Sequence, residues 1–324
     1  MMRVYCFRHA LAFVFAGVLA APAIAQNWPT RPVRIVVPYA PGGGADIVAR
    51  MLAQKLAEQT GGSFVIDNRP GAGGIVGAEA VARAPADGYT LLSASTEFGT
   101  NPAVQPKLPY DPFKDFTHIS QLGLVQFLLV SHPAVPAKNI KELLALAKAR
   151  PGQLTYGSTT FGGGPHLAGE LLQSMTGIRW LHVPFKGAGP ASIALMGGEI
   201  DFMFAATGGL VGHVRSGKLR AIAVTGPRRF NELPEIATVA ESGVPGYSAT
   251  GWYGLYAPAG LPADLARRLN AEASRAFGDA EIKARLAQNG TDALTNTPEE
   301  FTAFLRAEIT QWTKVIKAAN IRVE

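Results

Sequence analysis

The sequence predicts an α/β protein built from two similar units. Three observations carry this: short β-rich runs alternate with amphipathic segments, the alternation restarts midway along the chain, and each unit places a glycine loop between a strand and a helix start. With 324 residues, 48% hydrophobic and 17% charged, the chain can bury two cores and is too apolar for intrinsic disorder.

Residues 33–37 (VRIVV) read as a buried strand, 38–44 as a loop, and a helix starts near Ala45 with Val48, Met51, Leu52 and Leu56 on one face. Gly61 and Gly62 end it. Residues 64–66 and 89–92 are the next strands, with a helical stretch over 74–84 between them. This order favours a mainly parallel sheet flanked by helices. In the second unit, 140–149 reads as a helix, 154–157 as a strand, and 159–164 as a second glycine loop. A helix bearing Leu167, Leu171 and Met175 follows, then strands at 180–183, 201–204 and 219–225. Helices are expected at 263–277, 281–288 and 298–319, the last opened by Thr297-Pro298-Glu299-Glu300. Segments 126–131 and 250–257 are the candidate crossings between the units. The expected division is 26–128 with 250–324 as one domain and 129–249 as the other.

Residues 1–25 read as a secretory signal: Arg3 and Arg8, an apolar stretch over 10–20, and Ala23-Ile24-Ala25 before Gln26. The stretch is about half the ~20 residues that span a bilayer. Cleavage after Ala25 removes both arginines and Cys6, lowering the formal charge from +6 to +4 and leaving no cysteine. The remaining basic residues are scattered, so nucleic acid is not an expected partner.

Two motifs point to anion binding. Gly42-Gly43-Gly44-Ala45-Asp46 and Ser158-Thr159-Thr160-Phe161-Gly162-Gly163-Gly164 each precede a helix, whose N-terminus favours negative charge. Neither is a phosphate-binding loop with a following Lys, and Gly71–Gly77 misses the dinucleotide spacing because Val76 takes the sixth position. Asp46 alone would read as a helix cap. His166, at a helix start beside the second loop, reads either as structural or as a ligand contact. Phe185 and Lys186 follow a strand, where α/β clefts bind ligands, and Lys186 either faces an acidic ligand or is solvated. Tyr39 reads as a pocket wall or as packing. The histidines at 118, 132, 166, 182 and 213 show no metal spacing. Gly246-Tyr247-Ser248-Ala249-Thr250 lacks the closing glycine of a nucleophile elbow. A secreted hydrolase using Ser158 or Ser248 is the remaining enzyme alternative, but no spacing supplies its base. No catalytic residue, cofactor or metal is expected.

The residues then resemble a known family, the Bug receptors: periplasmic solute-binding proteins of tripartite tricarboxylate transporters. The resemblance rests on Trp28-Pro29-x-Arg31-Pro32-Val33-Arg34, Val37-Pro38-Tyr39-Ala40-Pro41-Gly42-Gly43 and Asn68-Arg69-Pro70-Gly71-Ala72-Gly73-Gly74. It continues through Asp87-Gly88-Tyr89-Thr90-Leu91, Leu108-Pro109-Tyr110-Asp111-Pro112, His182-Val183-Pro184-Phe185-Lys186-Gly187 and Tyr256-Ala257-Pro258-Ala259-Gly260. It implies a type II-like Venus flytrap in the periplasm that closes on a small carboxylate and delivers it to membrane permease subunits. A sensor kinase is the alternative partner. It also implies ligand contacts at Tyr39, Gly42, Gly43, Gly44, Ala45 and Asp46 in the first loop, and at Ser158, Thr159, Thr160, Phe161 and Gly163 in the second. Phe185 and Lys186 would line the rim. After Met203-Phe204 the family often carries an acid; here Ala205-Ala206 stand instead. Without that acid a dicarboxylate or aromatic acid is favoured over an amino acid. Gly163, Gly164, Ala205 and Ala206 are expected to leave it room.

Overall fold

The computed structural model describes residues 28–318 apart from 106, 160 and 186. The expected signal, its cleavage site and Cys6 lie outside the described residues.

The first unit runs β1 (Val33–Val37), α1 (Gly44–Thr60), β2 (Phe64–Asn68), α2 (Ile75–Ala82), β3 (Thr90–Ser95) and α3 (Glu97–Val104). Strand β4 (Phe116–Ser131) leads into α4 (Ile140–Ala149), β5 (Thr155–Ser158), α5 (Gly164–Thr176), β6 (Leu181–Pro184), α6 (Ala188–Met196), β7 (Phe202–Ala206), α7 (Val211–Arg215) and β8 (Arg220–Val224). The chain returns through β9 (Thr250–Pro258) and ends in α8 (Ala263–Gly278), α9 (Ala280–Gln288), β10 (Thr291–Ala293) and α10 (Pro298–Ala318).

The strands follow one path, β2-β1-β3-β9-β4-β7-β5-β6, with β8 and β10 also on β4. The outer sets, β2-β1-β3 and β6-β5-β7, are parallel, as the alternating strand and helix pattern requires. The crossing strands between them run antiparallel. Strand β4 changes partner within its own length: Phe116–Gln126 pair with β9, whereas Phe127–Ser131 pair with β7 and β8. Sequence reasoning marked only its last part, 126–131, as extended.

Strand β1 is covered on both faces, which is why its residues other than Arg34 are all apolar and buried. Val33, Ile35 and Val37 join one core with α1 and α8, while Val36 points the other way toward α2 and α10. In β7, Phe202 and Phe204 face the first core, and Met203 and Ala205 face a separate cluster with Leu128 and Val130.

Helix boundaries follow local chemistry. Gly61, at φ +71°, closes α1 by donating its N–H to Ala57 O at 2.9 Å. Thr297 and Glu300 exchange reciprocal bonds (Thr297 N to Glu300 Oε2, 2.9 Å; Glu300 N to Thr297 Oγ1, 3.2 Å), a capping box that starts α10.

Candidate functional site

The two glycine loops are built alike, 120 residues apart. In the first, Gly42 takes φ +85°, Gly43 is extended (φ −78°, ψ 168°), and α1 makes its first bond from Ile47 N to Gly43 O at 3.0 Å. In the second, Gly162 takes φ +72°, Gly163 is extended (φ −81°, ψ 171°), and α5 begins with Leu167 N to Gly163 O at 3.0 Å. Only glycine adopts the left-handed turn of Gly42 and Gly162 without strain.

Each turn is held from behind by the third residue of its helix. Asp46 Oδ2 accepts from Gly42 N at 2.9 Å, and His166 Nδ1 accepts from Gly162 N at 2.9 Å. Both residues are 2% exposed. Asp46 also accepts from Arg50 Nε at 2.9 Å and from Asn68 Nδ2 at 2.9 Å. Burial alone would raise its carboxyl, but Arg50, the Gly42 amide and Asn68 together hold it below the usual value. His166 needs its Nδ1 lone pair for Gly162. Burial, with the His182 ring stacked on it at 3.7 Å, lowers its pKa to about 3. Residues ahead of the first intrahelical bond have N–H groups with no helical partner. Pro165 lacks an N–H, so the second helix end offers one donor fewer than the first.

Aromatic side chains of the crossing strands fill the space under both loops. A Cβ on Gly44 would collide with the Tyr253 hydroxyl, and one on Gly164 would lie 2.5 Å from Phe127 Cζ. Above them lies a cavity of about 940 Å³ reached by both loops, by Ser95, Thr96 and Glu97 after β3, and by Trp252. Beside it, Thr100 Oγ1 donates to Gly162 O at 3.3 Å in a buried contact, so the first unit directly touches the second loop. Among the described residues lining the cavity there is no Lys, Arg or His, and one carboxylate, Glu97. The Tyr39 hydroxyl accepts from Ser95 N at 3.2 Å, and burial, then the Glu97 charge, push its pKa up.

Of the residues singled out from sequence, Tyr39, Gly42, Gly43, Gly44 and Ala45 line the cavity from one side. Thr159, Phe161 and Phe185 line it from the other. Asp46 and His166 stand behind the loops as braces. Gly163 is the extended helix cap and is buried. Thr160 and Lys186 lie outside the described residues.

Two expectations are corrected. Ala205 is 1% exposed and packs into the cluster away from the cavity; strand alternation instead turns Ala206 to it. The room left by the missing side chain of Gly164 goes to Phe127 rather than to a ligand, although Gly164 itself lines the cavity. Ser158 does have a base within reach, since its Oγ lies 2.7 Å from His182 Nε2, a pair that spacing did not suggest. Ser158 is fully buried, however, and burial lowers His182 to about 4. A nucleophile needs access to substrate, and this hydroxyl has none.

Sequence reasoning missed Ser95, Thr96, Glu97, Trp252 and Tyr253. The first three were findable, because ligands of open α/β sheets sit beyond the carboxyl ends of parallel strands.

Residues 48–321 match the family described as "Tripartite tricarboxylate transporter family receptor". The chain belongs to this family. Protein BugT of Bordetella pertussis is 33% identical over 314 residues, covering 96% of each chain. The solved structure titled "R. palustris Rpa4515 with adipate" superposes with a TM-score of 0.83 at 35% identity, covering 91% of this chain and 100% of the other. MatC (Rpa3494) from Rhodopseudomonas palustris with bound malate gives 0.78 at 33% identity, covering 89% and 100%. As a member of the tripartite tricarboxylate receptors, this chain is a periplasmic substrate-binding protein and not an enzyme. Receptors of this family bind small carboxylates and work with the membrane components of the transporter. No helix among the described residues is long and apolar enough to cross a membrane.

Proposed function

We propose that this receptor captures a small carboxylate between its two glycine loops, closes on it, and hands it to the permease subunits of a tripartite transporter. The observation that carries this reading is the pair of matched loops bringing two helix N-termini to one cavity, with no cationic side chain among the described lining residues. Two helix ends and their free N–H groups supply positive potential where an Arg clamp would otherwise be needed. A ligand touching both loops stabilises only the closed arrangement, which couples capture to domain motion.

In this reading the lobes are 26–128 with 250–324, and 129–249. The partner exchange of β4 after Gln126 supports a hinge there, two residues before the expected boundary. The mature protein starts at Gln26. The expected preference for a dicarboxylate or aromatic acid rested on there being no acid after Phe204, and Glu97 at the cavity wall weakens that ground. The adipate and malate named for the two neighbours keep dicarboxylates among the candidates. No observation favours a sensor kinase as partner.

The test is a thermal-shift screen of the chain from Gln26 against succinate, malate, adipate, citrate, glutamate, benzoate and terephthalate. A ligand at 100 times its Kd adds about 2.7 kcal/mol, a shift of several degrees. A panel that stays silent, also after denaturation and refolding to strip copurified ligand, refutes the reading.

A further inference from the structure

We propose that Glu97 selects the ligand, and that the bound carboxylate also carries a protonated amine. This deepens the carboxylate reading of the same cavity and rests on it.

Glu97 opens α3 directly after β3, and it is half-buried at the cavity wall. Its Oε2 accepts from the Ser95 hydroxyl. No ion pair joins Glu97 to any cation among the described residues, although its side chain borders a cavity walled by Tyr39, Trp252, Tyr253, Phe161 and Phe185. An acid in a first helical turn also complements the helix dipole, and that role needs no ligand. The surroundings argue for more. Ser95 ties Glu97 to Tyr39, since its hydroxyl donates to the Glu97 carboxylate and its amide donates to the Tyr39 hydroxyl, and Glu97, Tyr39 and Tyr253 line the same cavity.

The contact at Glu97 then discriminates between ligand classes. Four helix N-termini reach the cavity, α1 and α5 through the glycine loops, α3 at Thr96-Glu97 and α6 at Gly187-Ala188, so the backbone potential favours an anion of either class. The second carboxylate of a dicarboxylate placed against Glu97 meets a like charge, whereas the ammonium of a zwitterion meets an opposite one. The ammonium of a zwitterion has an unpaired carboxylate oxygen to meet and aromatic faces to lie against, both favourable to a cation.

The test is isothermal titration of the chain from Gln26 and of Glu97→Gln, which keeps the size of the side chain and an acceptor for Ser95. The probes are pairs matched in shape that differ in the amine: aspartate with malate, alanine with lactate, and 6-aminohexanoate with adipate. In the unmodified protein the amine-bearing member of at least one pair is expected to bind 10-fold or more tighter than its partner. Glu97→Gln is expected to melt at an unchanged temperature and to lose about 10- to 100-fold for that amine, so that the preference disappears or reverses. Tighter binding of malate, lactate or adipate by the unmodified protein overturns the proposal while leaving the carboxylate reading intact. An amine preference that survives in Glu97→Gln overturns the role of Glu97. Absence of binding across all six probes in both proteins overturns the proposal; the carboxylate reading falls with it only when the thermal-shift panel is silent too.

Discussion

His166 braces the second glycine loop, and its replacement separates bracing from simple space-filling. In His166→Leu the side-chain volume is nearly kept, but Gly162 N–H loses an acceptor 2.9 Å away. Gly162 is itself buried, so water does not readily take its place. An unpaired buried donor costs about 1–3 kcal/mol. For a protein of this size each kcal/mol lowers Tm by roughly 2–4 °C, so His166→Leu should melt roughly 2–12 °C lower. His166→Asn should recover most of this loss. The precedent is within the molecule: Asp46, at the same helix position and with a side chain as short as Asn, accepts from Gly42 N at 2.9 Å. Thermal unfolding followed by far-UV circular dichroism reads both variants. A Leu variant as stable as the parent, or an Asn variant as damaged as the Leu variant, would refute the brace and leave His166 as packing.

Stability should also fall as pH drops below about 6.5. The folded pKa values of His166 and His182, about 3 and about 4, lie below the ordinary 6.5, so over this window the unfolded chain binds more protons. The slope reaches about 1.4 kcal/mol per pH unit for each histidine, partly offset by Glu170, whose carboxyl burial raises. Urea unfolding between pH 4.5 and 7 measures it; His166→Asn should flatten the slope, and a parent slope that is flat or reversed contradicts the assignment. Thr100→Val removes the buried bond between the units to Gly162 O and should weaken carboxylate binding about 2- to 10-fold. Unchanged affinity in titration would show that this contact does not accompany closure. Glu308 Oε2 accepts from both Trp252 Nε1 at 3.0 Å and Trp312 Nε1 at 2.9 Å, so Glu308→Leu should cost about 2–5 kcal/mol in denaturant unfolding. Glu308→Gln should cost much less, because burial already pushes this carboxyl toward its neutral form.

The amino-acid sequence by itself determined the features that depend on neighbours along the chain. The apolar run of β1, the glycine turns at Gly42 and Gly162, and the Thr297–Glu300 capping box are local physics, and each sits where the spacing placed it. The paired loops and the family signature were legible for the same reason. Tertiary structure alone decided what meets across the cleft. Phe127 and Tyr253 lie on strands that local pattern marks only as extended, yet they fill the spaces opened by Gly164 and Gly44. Which of Ala205 and Ala206 faces the cavity depended on the register of β7 against β4, because a shift of one residue exchanges the two faces. His182 reaches Ser158 because β5 and β6 pair in parallel, although 24 residues separate them. Glu97 reads in sequence as a helix-start acid. Only the packing of β3 beside β9 brings it to the wall of a cavity whose charge it changes.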